Sequence, residues 1–185
     1  QPLDVLSFTG SAETATVIRQ HRAISELSVR CNIEADSLNS ALLWPGASAD
    51  SQALQLLVSE VVREMTVKSG QKCTAIRRIF VPRALYRTVA MAIGAKLSKT
   101  TVGNPRNDNV RMGALVSQEQ KASVLAGLAQ LQTEAEVLFD GAGNGLVDAD
   151  AQSACVAPVL LGCEQPLRAQ RLHAVEGFGP VATLM

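Results

Sequence analysis

Short apolar, often β-branched runs alternate with stretches of helical periodicity along this chain, and no other feature narrows its fold so much. Residues 3–8 read as a buried strand closed by Thr9, Gly10 and Ser11. A helix is expected next, with Ser11 as its N-cap and with Arg19, His21 and Arg22 toward its C-terminal end, where positive charge suits the dipole. Residues 27–31 read as a second short strand. Strand, turn, helix, strand is the order of an α/β fold.

Three amphipathic helices follow. Leu54, Leu57, Val58, Val61 and Met65 fall on one face of a helix beginning near Asp50. Leu85, Val89, Ile93 and Leu97 do the same just after Pro82, a residue suited to a first turn. Val124, Leu125, Leu128 and Leu131 mark the third, and Ser117 with Gln120 has the spacing of a capping box. Residues 76–81 form a β-branched run, and weaker strands are expected at 137–139, 157–161 and 181–184. Gly141, Gly143 and Gly145 sit in a polar loop, and Trp44 with Pro45 reads as a packed turn.

Composition sets limits on function. A chain of 185 residues with 47% apolar and 18% charged residues can build one well-cored domain. Lysine plus arginine balances aspartate plus glutamate at 17 each, so there is no electrostatic footprint for nucleic acid or an anionic membrane. The same neutrality removes a barrier to self-association. No apolar stretch has transmembrane length, since Arg83 and Arg87 interrupt the best candidate, and no basic start precedes an apolar run. A cytoplasmic location is the expectation. The start at Gln1, inside an apparent strand, reads as that of a piece cut from a longer protein.

The cysteines are Cys31, Cys73, Cys155 and Cys163, with no close pair among them, and His21 and His173 stand apart. No metal site is expected. Cys31, Cys155 and Cys163 end or flank apolar strands, which favours burial. Cys73 differs, because it closes the loop Ser69-Gly70-Gln71-Lys72-Cys73 between a helix and a strand. A glycine lets such a loop turn sharply, and a neighbouring cation such as Lys72 can favour the thiolate. By itself the residue could equally be a small core side chain. Arg77 and Arg78 read as a local ion pair or solvated surface, with a phosphate site left open should the substrate carry CoA.

Gly70-Gln71-Lys72-Cys73, followed by Ala75 and Arg78, resembles the active-site cysteine motif of aldehyde dehydrogenases. The likeness continues on both sides. Phe8-Thr9-Gly10-Ser11 matches the motif at which that family holds the cofactor pyrophosphate, and a helix start does suit an anion. Without the family pattern it is an ordinary strand–turn–helix. Val102-Gly103-Asn104-Pro105, Gly113 and Gln118 fit the family framework, as do Pro158-Val159-Leu160. Glu176-Gly177-Phe178-Gly179-Pro180 matches the cofactor-contact motif, implying Glu176 on the nicotinamide ribose and Phe178 on the ring. The order of these motifs over nearly the whole chain makes the match specific.

The family places a general base at the end of a strand, and Glu34, 39 positions before Cys73, fits that place. The usual leucine and two glycines after it are replaced in Asn32-Ile33-Glu34-Ala35-Asp36-Ser37-Leu38-Asn39, which leaves Asp36 as a rival. This wording is similar to the family branch that works in phenylacetate ring opening, commonly fused to an enoyl-CoA hydratase-like domain. The resemblance implies a thiohemiacetal and then a thioester on Cys73, hydride transfer to NADP (or NAD), and hydrolysis assisted by Glu34. The implied substrate is a ring-opened, CoA-linked semialdehyde, and the implied assembly a homo-oligomer of the full-length parent. Residues 1–34 would be the tail of the Rossmann-type NAD(P)-binding domain. Residues 35–185 would be a catalytic domain incomplete at its C-terminus, with a mixed or parallel sheet flanked by helices. Two other readings stay open: an acylating enzyme in which CoA attacks the thioester, which Glu34 argues against, and a non-catalytic assembly module. A thiol hydrolase would need a histidine to pair with Cys73, and none is placed for it.

Overall fold

The computed structural model describes residues 4–185. Leu3, the first residue of the expected opening strand, lies outside them. The chain divides into two compact units after Ser37.

In the first unit, β1 (Val5–Gly10) and β2 (Arg30–Ala35) pair in parallel. The crossover between them holds two helices, α1 (Ala12–Gln20) and α2 (Arg22–Leu27). Ser11 caps α1 as expected, its Oγ accepting from the Thr14 N–H. His21 breaks the helices apart at φ −66°, ψ 132°, and its Nδ1 accepts from the Ala23 N–H to start α2. The expected strand at 27–31 is therefore displaced. Leu27 ends a helix, and the strand starts at Arg30 and runs past Glu34. Pairing with β1 in register, Thr9 opposite Glu34, sets these limits where local propensity could not.

The second unit is a five-stranded mixed sheet flanked by helices, so the class is α/β as the sequence indicated. Its strands are β3 (Asn39–Leu42), β4 (Ile76–Phe80), β5 (Glu136–Asp140), β6 (Val159–Gly162) and β7 (Val181–Leu184). They lie in the order β3-β4-β7-β6-β5, parallel except for β5 against β6. β6 and β7 are buried along their whole length, and their alternate residues serve two cores. Leu160, Ala182 and Leu184 pack with α3 (Gln52–Thr66) and α4 (Tyr86–Leu97). Val159, Leu161 and Val181 pack with α5 (Gln118–Leu131). A sheet covered on both faces explains why these strands read as unbroken apolar runs.

The helices sit where periodicity put them, with local differences. Leu54, Val58, Val61 and Met65 are buried on α3, and Ser51 caps it by accepting from the Leu54 N–H. On α5 the inward residues are Val124, Gly127 and Leu131, while Leu125 turns outward. The turn expected at Trp44 and Pro45 forms, closed by the Ala47 N–H on the Trp44 carbonyl at 3.0 Å, but Trp44 is 75% exposed, so it is not packed. No helix among the described residues is long and apolar enough to cross a membrane.

Candidate active site

The loop before β4 owes its shape to an unusual backbone run. Lys68, Ser69 and Gly70 all take positive φ, at 54°, 55° and 70°. Non-glycine residues seldom adopt that region, so the surroundings must hold the run in place. Ser69 is buried and its hydroxyl donates to the Gly113 carbonyl at 2.8 Å. The Gln71 carboxamide accepts from the Val116 N–H at 3.0 Å and donates to the Lys68 carbonyl at 3.1 Å. Asn39 Nδ2 donates to the Cys73 carbonyl at 2.6 Å, fixing the far end. At the end of this braced loop Cys73 is exposed.

Lys72 does not act as a free cation beside the thiol. Its ammonium is bound to Glu64 of α3 at 2.6 Å, with both side chains mostly buried. Of the other cysteines, Cys155 and Cys163 are buried as expected. Cys31 is not: β2 leaves it exposed, its thiol directed at the Val29 carbonyl. Among the described residues that strand has only β1 beside it in its own sheet, so an apolar run was no guarantee of cover. Brief alkylation at neutral pH should label Cys73 first, Cys31 more slowly, and Cys155 and Cys163 only after unfolding. Peptide mapping checks this order, and early labelling of a residue other than Cys73 contradicts it.

The turn at 176–180 lies against this loop. A Cβ on Gly70 would come within 2.2 Å of the Gly179 carbonyl oxygen, so only glycine permits the approach. Between the two segments runs Arg77, 4% exposed. Its Nη1 donates to the Gly179 carbonyl at 2.6 Å, and its Nη2 to the Gly70 carbonyl at 2.8 Å. Nη2 also pairs with Glu176 Oε1 at 3.5 Å, and the guanidinium lies 5.7 Å from the centre of the Phe178 ring. Burial pushes the Arg77 pKa down from its ordinary value, while the charges of Glu176 and Glu64 oppose that shift. From the outer side Gln120 Nε2 donates to the Phe178 carbonyl at 2.9 Å. Ser117 Oγ accepts from the Gln120 N–H, as a capping start requires, while the glutamine Nε2 is given to the turn.

Sequence read Arg77 as an ion pair or solvated surface, with a phosphate site left open, and burial excludes the solvated surface. The signal was present in the strand's alternation: Ala75, Arg77 and Ile79 share the buried face. A charge on that face must be paired. Arg78 points the other way and is also engaged, donating to the Leu38 carbonyl at 2.5 Å and meeting His173 Nδ1 at 3.3 Å. His173 Nε2 lies 2.9 Å from the Pro166 carbonyl, which can only accept, so Nε2 carries the proton and Nδ1 receives from Arg78.

Gly10, Ser11 and Glu34 belong to the first unit, and Cys73, Glu176 and Phe178 to the second. Within the first, Gly10 and Ser11 are exposed at the start of α1, and Glu34 is exposed on β2 beside Thr9. Asp36 is held at φ 47°, and its carboxylate accepts from the Ala12 N–H at 2.8 Å. Within the first unit the exposed helix start at Gly10 and Ser11 suits an anion such as a pyrophosphate, and within the second the Glu176 carboxylate and the part-exposed Phe178 ring have the chemistry to meet a ribose hydroxyl and a nicotinamide ring. Among the described residues no cluster could hold a metal ion.

Comparison with known proteins shows the family that the motifs resemble. The aldehyde dehydrogenase family signature matches residues 1–185. The 3,4-dehydroadipyl-CoA semialdehyde dehydrogenase of Aromatoleum evansii is 53% identical over 184 residues, covering 98% of this chain and 36% of that protein. Betaine aldehyde dehydrogenase of Staphylococcus aureus, solved with NAD+, superposes with a TM-score of 0.81 at 22% identity, over 98% of this chain and 34% of its own. An aldehyde dehydrogenase of Bartonella henselae gives 0.77 at 26% identity, over 98% and 36%. The chain spans little more than a third of the length of each.

Proposed function

The chain belongs to the aldehyde dehydrogenase family, and we propose that it is the nucleophile-bearing part of an enzyme oxidising a CoA-linked semialdehyde to the carboxylic acid. The observation that carries this reading is the contact of the Cys73 loop with the 176–180 turn, sealed by Gly70 against Gly179 and laced by Arg77. It joins the candidate nucleophile to the candidate nicotinamide contacts. The substrate class rests on the relative from Aromatoleum evansii, named for a CoA semialdehyde.

In this reading the Cys73 thiolate attacks the aldehyde carbon, and the resulting oxyanion is held by backbone N–H groups, that of Cys73 included. A bound nicotinamide supplies the acceptor for the hydride that leaves this carbon. Gly10 and Ser11 would hold its pyrophosphate, Glu176 its ribose and Phe178 its ring, with NADP favoured over NAD. Glu34 then takes a proton from the water that attacks the Cys73 thioester, releasing the acid and restoring the thiol. Asp36 is the weaker candidate, because its carboxylate is tied to the start of α1. Residues 1–34 act as the tail of the cofactor domain and residues 35–185 as the catalytic domain. The full-length parent works in the cytoplasm as a homo-oligomer fused to a hydratase-like domain.

The chain alone should bind NADP no more tightly than about millimolar, roughly −4 kcal/mol, because strands that hold the adenosine half belong to the rest of the protein. Titration calorimetry checks this. Micromolar binding would mean that residues 1–185 already form the cofactor site.

A further inference from the structure

Four charges of alternating sign run from the Cys73 loop to the 176–180 turn, and the proposed chemistry uses only one of them. Lys72 is bound to Glu64, Glu64 acts electrostatically on Arg77, and Arg77 pairs with Glu176. The run begins beside the nucleophile in sequence and ends on the carboxylate assigned to the ribose. Arg77 is the member that touches both segments, and it does so through a buried planar fork.

An arginine that only balanced the Glu176 charge would need one bond to it. Arg77 instead makes its two shortest bonds, 2.6 and 2.8 Å, to backbone carbonyls, one in the turn and one in the loop. Charge-assisted bonds to carbonyls at this depth are strong, and breaking one leaves a buried acceptor unpaired. The bonds act on Gly70 and Gly179, the two residues whose approach leaves no room for a Cβ. Movement of either segment must therefore be passed to the other or break one of these bonds.

We propose that Arg77 is a positioning residue coupling the cofactor-facing turn at 176–180 to the Cys73 loop, so that cofactor capture sets the nucleophile. The inference rests on the dehydrogenase reading and assigns a role to a residue outside the proposed chemical steps. Lysine cannot replace it, because an ammonium on a flexible stem does not span two carbonyls and a carboxylate as a guanidinium does.

The test uses the full-length parent enzyme. In the wild type, hydrogen exchange with saturating NADP should slow amides at 177–179 and at 70–73 together. In Arg77→Lys the turn should still be protected and the loop should not. Arg77→Lys should also raise the KM for cofactor about tenfold and lower kcat by a similar factor, with a cooperative melt retained. Arg77→Lys combined with Glu176→Gln should weaken cofactor binding by less than the product of the single effects, as for residues acting through one contact. Protection of the turn alone in the wild type overturns the proposal, and that measurement needs no variant to fold. So do unchanged cofactor KM and kcat in Arg77→Lys. A wild-type parent that fails to oxidise aldehydes at all would instead refute the dehydrogenase reading, which the same preparations report.

Discussion

Cys73→Ala in the full-length parent should lose aldehyde oxidation by ~10⁴-fold or more in kcat, the order of loss when a covalent nucleophile is removed, while cofactor affinity is unchanged. The size of the effect follows from the chemistry: with no thiol there is no thiohemiacetal, and hydride would have to leave an unactivated aldehyde hydrate. The loop should survive the change, because its braces come from Ser69, Gln71, Asn39 and Arg77, and the Cys73 side chain is exposed. Cys31→Ala should leave turnover intact even though Cys31 is also exposed. Steady-state rates and a fluorescence titration with NADP, run on the same variants, check both statements. Retained activity in Cys73→Ala would move the nucleophile elsewhere.

Glu34→Gln should separate the two halves of the reaction. Acylation of Cys73 and formation of NADPH should proceed, giving a burst near one equivalent per site. The steady rate should then fall by ~10²–10⁴-fold, the range for a lost general base. Asp36→Asn is the matched control. Its carboxylate accepts from the Ala12 N–H, a bond the asparagine Oδ1 can keep, so the change should disturb the start of α1 little and leave deacylation alone. Stopped-flow absorbance separates the phases. A stall in Asp36→Asn with normal turnover in Glu34→Gln would exchange the two roles, and revival of Glu34→Gln only by free CoA would favour an acylating enzyme.

What could be read from the sequence was what short-range rules control. α3, α4 and α5 follow from 3.6-residue spacing, α5 with Ser117 as its cap, and β6 and β7 from apolar runs. β3 was missed because Asn39–Leu42 is short, half polar and half exposed, and becomes a strand only by pairing with β4. The opening of β2 was misplaced because its limits come from β1 rather than from its own residues. At the site, the family motifs pointed to Cys73 and to Glu176 with Phe178. Sequence could not show that Gly70 and Gly179 meet, a contact across 109 positions, nor that Lys72 turns to Glu64. Arg77 was within reach of the alternation Ala75, Arg77, Ile79, had the two adjacent arginines been assigned opposite faces.

The central claim is that aldehyde carbon becomes bonded to Cys73, and trapping that bond tests it most directly. Full-length Glu34→Gln enzyme, mixed with NADP and a CoA-linked semialdehyde, is quenched in acid after the burst, digested and examined by peptide mass spectrometry. The expected result is the acyl mass on the peptide carrying Cys73, in proportion to the NADPH released and reversed by hydroxylamine. A full burst with that peptide unmodified, or with the acyl group on the Cys31 peptide, would contradict the account.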